Sequence, residues 1–193
     1  HNLMYSRNIQ ADLAKTLKDA GFHPTEHLRR PNDVVINLDG LITYVGLHTT
    51  QPANVVTTAL TRPEIETASY LEQDHVIVRN QKGAAMIERA DHARFRYTPT
   101  SYDVLGYQPI IEKMRAEGKL SADNFAEDDA WFQATLDAEF PDAPRRLWDA
   151  FHEMAVHPPD VMLTMHDGYT CGTPTLEKFI TMASSHGGLN QVN

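Results

Sequence analysis

Hydrophobic positions recur at helical spacing near the start of the chain. Ile9, Leu13, Leu17 and Ala20 fall on one side of a stretch that Asn8 can cap and Gly21 can stop, predicting an amphipathic helix over 8–20 that lies on a sheet. The period then shortens. Val34-Val35-Ile36-Asn37-Leu38 and Leu41-Ile42-Thr43-Tyr44-Val45 are β-rich runs separated by Asp39-Gly40, a pair suited to a two-residue turn, so a hairpin is predicted about it. Residues 48–60 begin as a polar loop with Pro52 and enter a short helix over 53–60. Thr61-Arg62-Pro63-Glu64 has the form of a capping box with proline in the first turn, which predicts a helix to about Gln73.

Alternation returns in the middle third. His75-Val76-Ile77-Val78-Arg79 reads as a strand, Gln81-Lys82-Gly83 as a turn, Ala84-Ala85-Met86-Ile87-Glu88 as its return, and Arg94-Phe95-Arg96-Tyr97 as a half-exposed strand, together a small antiparallel sheet. After Pro99 the pattern is helical, over 109–117, 127–140 and 143–155, with Pro141 and Pro144 separating the last two. His157-Pro158-Pro159-Asp160 feeds an apolar strand from Val161, and a further helix is predicted over 173–183. The fold class is α+β of α/β type: a mixed sheet with hairpins in the first half and helices in the second. Residues 1–100 and 101–193 are its two regions, packed as one compact unit.

Composition narrows the classes of partner. The 193 residues are 41% hydrophobic and 22% charged, as in a globular domain. With 26 acidic against 17 basic side chains the net charge is −9, which repels a nucleic-acid backbone, and Arg29-Arg30 and Arg145-Arg146 are isolated pairs that read as solvated surface. The single Cys171 excludes an intrachain disulfide and a cysteine-rich zinc site. No apolar run approaches the length of a membrane span and the start is not signal-like, so no membrane partner is expected; the compartment stays unassigned.

Candidate chemistry concentrates after residue 150. His152 and His157 in His-Glu-Met-Ala-Val-His lie five apart, which on a helix turns the second side chain about 140° from the first, so they do not share an ion. Ser184-Ser185 beside His186 is sequential adjacency without an identifiable acid or oxyanion donor, and reads as coincidence. His166-Asp167-Gly168 follows the apolar strand, where α/β proteins place functional groups; an ordinary Asp-Gly turn fits the same residues. His186-Gly187-Gly188 follows the last predicted helix. There the glycines leave the imidazole open to a metal, or simply cap the helix. Asp91-His92 reads as a solvated pair.

The succession of segments resembles the C-terminal part of alkaline-phosphatase-superfamily proteins of the type I phosphodiesterase/nucleotide pyrophosphatase kind. The likeness covers about residues 70 to 190. It rests on Val76-Ile77-Val78-Arg79 to Gly83-Ala84-Ala85-Met86-Ile87, Phe95-Arg96-Tyr97, Trp131, Phe140-Pro141-Asp142-Ala143, Arg146-Leu147, Pro159-Asp160-Val161-Met162, Gly168-Tyr169 and Ser185-His186-Gly187-Gly188-Leu189. The resemblance implies a partial alkaline-phosphatase-like fold, with residues 1–100 as a cap-like region and 101–193 carrying the C-terminal strand and His-Gly turn of the core. It implies a metal pair, usually zinc, that activates a threonine or serine nucleophile, with His186 at the position of a metal ligand. His166 and Asp167 are further candidate ligands, and Tyr169 a candidate substrate contact.

Nothing in residues 1–70 resembles the half of that family that holds the nucleophile and several aspartate ligands, and a following strand is expected where the chain stops. The expectation is therefore a segment of a metal-dependent phosphohydrolase, incomplete alone, with the rest of the parent protein as partner and a phosphate ester as substrate. The alternative is a non-catalytic α+β module for binding or interdomain packing. A third reading, a self-contained hydrolase built on His166, Asp167 and His186, requires tight metal binding by this chain alone.

Overall fold

The computed structural model describes residues 7–38, 41–152, 156–174 and 189–190. In chain order the elements are β1 (Arg7–Asn8), α1 (Gln10–Asp19), β2 (His23–Pro24), β3 (Asp33–Ile36), β4 (Leu41–Ile42), β5 (Tyr44–Thr49) and α2 (Pro52–Ala59). There follow β6 (Ile65–Glu72), β7 (His75–Asn80), β8 (Gly83–Ala90), β9 (Arg94–Pro99), α3 (Gln108–Ala116) and β10 (Ala126–Glu127). Last come α4 (Asp128–Thr135), α5 (Ala143–His152), β11 (Val161–Met165) and β12 (Tyr169–Gly172). The class is α+β. The chain groups into two units, 1–70 with 159–188 and 71–158 with 189–192, so residue 100 falls inside the second.

In the first unit the main sheet runs β6-β11-β5-β3-β2, and β1-β12-β4 form a smaller one. Strand β11 is antiparallel to both neighbours, with Leu163 opposite Val45 and Ala68, and Val161 opposite Leu47 and Tyr70. Directly opposed residues share a face, so these apolar side chains form one buried layer. Helix α2 lies against β5 and β11, and α1 against α2 and β12, burying Leu13, Leu17, Val55, Val56 and Ala59. Asn8, expected as the cap, lies in β1 one residue before the N-cap Ile9; its Oδ1 accepts the Gln10 N–H at 3.1 Å, while its Nδ2 donates to the Gly172 carbonyl on β12, also at 3.1 Å. Gly21, at φ +88°, takes the left-handed conformation that follows the helix end.

Two expectations fail in this unit. Residues 65–72 form a strand, not the helix announced by the capping-box pattern. The Arg62 carbonyl accepts the Ile65 N–H at 3.3 Å, so Thr61-Arg62-Pro63-Glu64 turns the chain out of α2 instead of starting a new helix. Burial on both faces from Ile65 to Tyr70 then favours a central strand over any local helix preference. The hairpin also differs. Strand β3 does pair with β5, but Val34 faces Thr49 and Ile36 faces Leu47, well beyond the register a two-residue Asp39-Gly40 turn would set. Leu41–Ile42 leaves to pair with Gly172 and Cys171 on β12. The displacement is an even number of residues, so every side chain keeps its face.

The second unit holds the antiparallel order β10-β9-β8-β7, much as its alternation indicates. Helix α4 stops at Thr135, short of the expected 140. Its Trp131 is buried, donates Nε1–H to the Phe95 carbonyl at 2.8 Å, and stacks on Tyr107 with ring centroids 5.8 Å apart. The Tyr107 hydroxyl donates to the Phe140 carbonyl and accepts the Ala143 N–H at 3.2 Å, tying the turn before α5 to the core. Burial drives both the Tyr97 and Tyr107 phenols upward from the usual range. Asp142 in that turn sits at φ +53° with a buried Oδ1 that lacks a hydrogen-bond partner. The helix predicted over 173–183 lies outside the described residues.

Trp131→Phe leaves the buried Phe95 carbonyl without its donor. It should destabilise the protein by about 1–3 kcal/mol, seen as a lower urea midpoint at unchanged m. Desolvation, then repulsion from Asp128, pushes the Asp142 carboxyl up to about 6 from 3.8. A raised folded value means stability is lost as pH rises toward and through about 6. Asp142→Asn should therefore melt a few degrees above the parent near neutral pH, with the gap narrowing on acidification and gone by about pH 4.

Candidate functional site

The end of β11 joins a histidine to a carboxylate from a neighbouring strand. Thr164 faces Thr67 on β6, but Met165 faces Ile65, so the register shifts and Glu66 has no opposite residue. Such a bulge re-aims the extra side chain. Glu66 Oε1 lies 3.4 Å from His166 Nδ1; Glu66 is 9% exposed and the His166 side chain 49% exposed. The backbone fixes the same junction, because the His166 N–H donates to the Glu64 carbonyl at 2.9 Å and the Met165 N–H to the Thr43 carbonyl at 2.8 Å.

The segment beyond is the turn that the Asp-Gly pair suggests. The Tyr169 N–H donates to the His166 carbonyl at 3.1 Å, and Gly168 adopts φ +86°, as the third position of a type II turn requires. Asp167 is exposed, and its side chain has no hydrogen-bond or ion-pair partner among the described residues. Tyr169 begins β12 opposite Arg7. His186, the residue the resemblance matches to a metal ligand, lies outside the described residues, as do Ser184 and Ser185.

Glu64, whose carbonyl accepts the His166 N–H, has its side chain in a separate ionic cluster. Arg62 Nη2 lies 2.6 Å from Glu64 Oε1 and 3.6 Å from Asp12 Oδ2, and Asp12 also pairs with Arg7. Glu64 Oε2 is buried without a hydrogen-bond partner. At 3.4 Å the contact of His166 with Glu66 is an ion pair and not a hydrogen bond; an imidazole with a carboxylate beside Nδ1 keeps Nε2 for a proton or a metal. Among the described residues no three or more His, Cys, Asp or Glu side chains converge as a metal's ligands do. They therefore supply one imidazole toward a metal, that of His166, and not a complete set.

A second histidine contact stands at the other end of β11. His48 Nδ1 lies 3.7 Å from Asp160 Oδ2, and its Nε2 lies 3.2 Å from Asn37 Nδ2. Asp160 in turn accepts the Thr49 N–H at 2.9 Å. Sequence reasoning missed Glu66 because it placed it in a helix opened by Thr61-Arg62-Pro63-Glu64 and running to about Gln73; the β-branched and aromatic content of Ile65 to Tyr70 was the available signal. His152 is occupied, its ring stacked on Trp148 at 4.0 Å and its Nδ1 2.9 Å from the Trp148 carbonyl. The Asp91-His92 turn, with His92 and Ala93 both at positive φ, borders an open cavity of about 500 Å³ lined also by Arg89 and Trp148.

Comparison with family models, with curated proteins and with solved structures finds no match to this chain. Among the described residues no helix is long and apolar enough to cross a membrane. If Glu66 holds the imidazole in one orientation, Glu66→Gln, which keeps the volume, should leave the protein folded but let His166 populate both tautomers. Side-chain ¹⁵N chemical shifts of His166 measure that change directly.

Proposed function

We propose that this chain is part of a metal-dependent phosphoric-ester hydrolase and contributes ligands to its site without completing it. The observation that carries the reading is His166 seated on the bulged, buried Glu66 at the end of β11. A carboxylate behind a histidine's Nδ1 is the usual support of a metal-binding imidazole, because it sets both tautomer and ring orientation. The Ser185-His186-Gly187-Gly188 run follows in the sequence and supplies the second imidazole of the proposal. The α+β class agrees with such an enzyme but is shared by many others.

Zinc, the metal the resemblance implies, would act as Lewis acid toward a phosphoryl oxygen. The nucleophile and remaining ligands come from outside these residues, so no catalytic step is assigned to the chain alone. The competing reading is a non-catalytic module in which the His166 and Glu66 contact is structural.

Calorimetric zinc titration separates the two. Weak, saturable binding that falls about tenfold or more in both His166→Ala and His186→Ala is expected. Binding unchanged in both variants, or absent from the parent chain, favours the module. Rapid cleavage of a phosphodiester by the chain alone would overturn the incomplete-site reading.

A further inference from the structure

The loop between β2 and β3 is held more tightly than an ordinary surface connection. Asp33, 3% exposed, is its centre: one carboxylate oxygen accepts the N–H groups of Arg29 and Arg30, each at 2.8 Å, and the other lies 3.1 Å from His23 Nδ1. Further bonds close the loop, from the His23 N–H to the Asn32 carbonyl, the Thr25 N–H to the Val34 carbonyl, and Asn32 Nδ2 to the Gly21 carbonyl. Gln51 Nε2 and Thr50 Oγ1 both donate to the Pro31 carbonyl. The Arg29 N–H bond, followed by that of Arg30 and the contact with His23, holds the Asp33 carboxyl below its ordinary value. It is therefore an anion and an acceptor only, so His23 Nδ1 must carry the shared proton and its Nε2 faces away from Asp33.

Two of this loop's exposed side chains, Arg29 and Arg30, are cationic. Arg7, Arg62, Arg96 and Arg145 each pair with a carboxylate. The exposed guanidinium groups of Arg29 and Arg30 have no hydrogen-bond or ion-pair partner among the described residues, although the charge of Arg30 acts on Asp33 from beyond ion-pair distance. His27 is exposed beside them, and Glu26 is the loop's exposed acid. In a chain of net charge −9, two consecutive arginines without a carboxylate partner, on a loop whose buried Asp33 binds both their N–H groups and His23 Nδ1, bring positive charge and an imidazole to one loop, chemistry that suits a compact anion. The same net charge opposes a long polyanion, which would meet the acidic remainder of the surface.

We propose that the loop from His23 to Asp33 binds a phosphate group carried by a small molecule. Arg29 and Arg30 bind its oxygens in charge-assisted bonds, and His23 Nε2 either accepts from a P–OH or, when protonated, donates to a phosphoryl oxygen. Asp33 is a positioning residue. This site uses none of the residues assigned to metal binding and stands or falls separately.

The test is a titration of the chain with inorganic phosphate and with methyl phosphate, followed by imidazole NMR signals in the presence of a metal chelator, so that phosphate held through a metal does not register. Saturable shifts of His23 with a dissociation constant of about a millimolar are expected for both probes. Arg29→Ala and Arg30→Ala should each weaken binding about five- to tenfold, and the double variant should abolish it. Removing negative charge at Asp33 would by itself strengthen anion binding, so weakened binding in Asp33→Asn identifies the loop geometry as the cause. Non-saturating shifts, an unchanged constant in the double arginine variant, or tighter binding in Asp33→Asn would overturn the proposal.

Discussion

Strand β11 is the constraint on which the first unit depends. It fills the place between β5 and β6, so every ladder bond on its two edges joins residues far apart in sequence. Closing so long a loop costs conformational entropy that grows only slowly with its length, and the buried layer of Val161, Leu163 and Met165 offsets it. Without this strand, β5 and β6 would each lose a partner, and the apolar layer beneath α1 and α2 would be open to water. The opposite face of the same strand carries Met162 and Thr164, with the Thr67 and Thr164 hydroxyls 2.6 Å apart inside the protein.

The candidate chemistry follows from that placement. A strand seated between two others ends beside side chains from both, and here each end brings a histidine to an acid. At the C-terminal end the register shift that gives Glu66 no opposite residue also sets it against His166. At the N-terminal end Asp160 meets His48 while accepting the Thr49 N–H. The second contact is partly solvated and its imidazole is shared with Asn37, which fits a tie holding β5 to β11.

Much of the fold was legible because local pattern and tertiary burial agree. The helix beginning near Asn8, the β7 to β9 meander and the strand at 161 all show periodicity that burial then uses. The failures occurred where they compete. Thr61 and Glu64 stand at capping-box spacing, yet the residues after them are buried on both faces, which a one-sided helix could not satisfy. Asp39-Gly40 is a strong local turn signal, but Leu41–Ile42 had a distant partner in Cys171–Gly172, and no local rule reveals a partner so far along the chain. Asp33 and His23 were invisible for a related reason: their contact depends on a loop closed by backbone bonds.

The division of the chain has a consequence for synthesis. Residues 73–160 intervene between β6 and β11, so β6 leaves the ribosome well before its neighbour exists. At ordinary translation speeds the wait is on the order of ten seconds. During that interval one edge of β6 offers unpaired N–H and C=O groups to any other extended chain. The charged and hydroxyl side chains of Glu66, Thr67 and Ser69 make this waiting edge a poorer template for aggregation than an all-apolar strand would be, which is a use for polar residues that the finished fold buries.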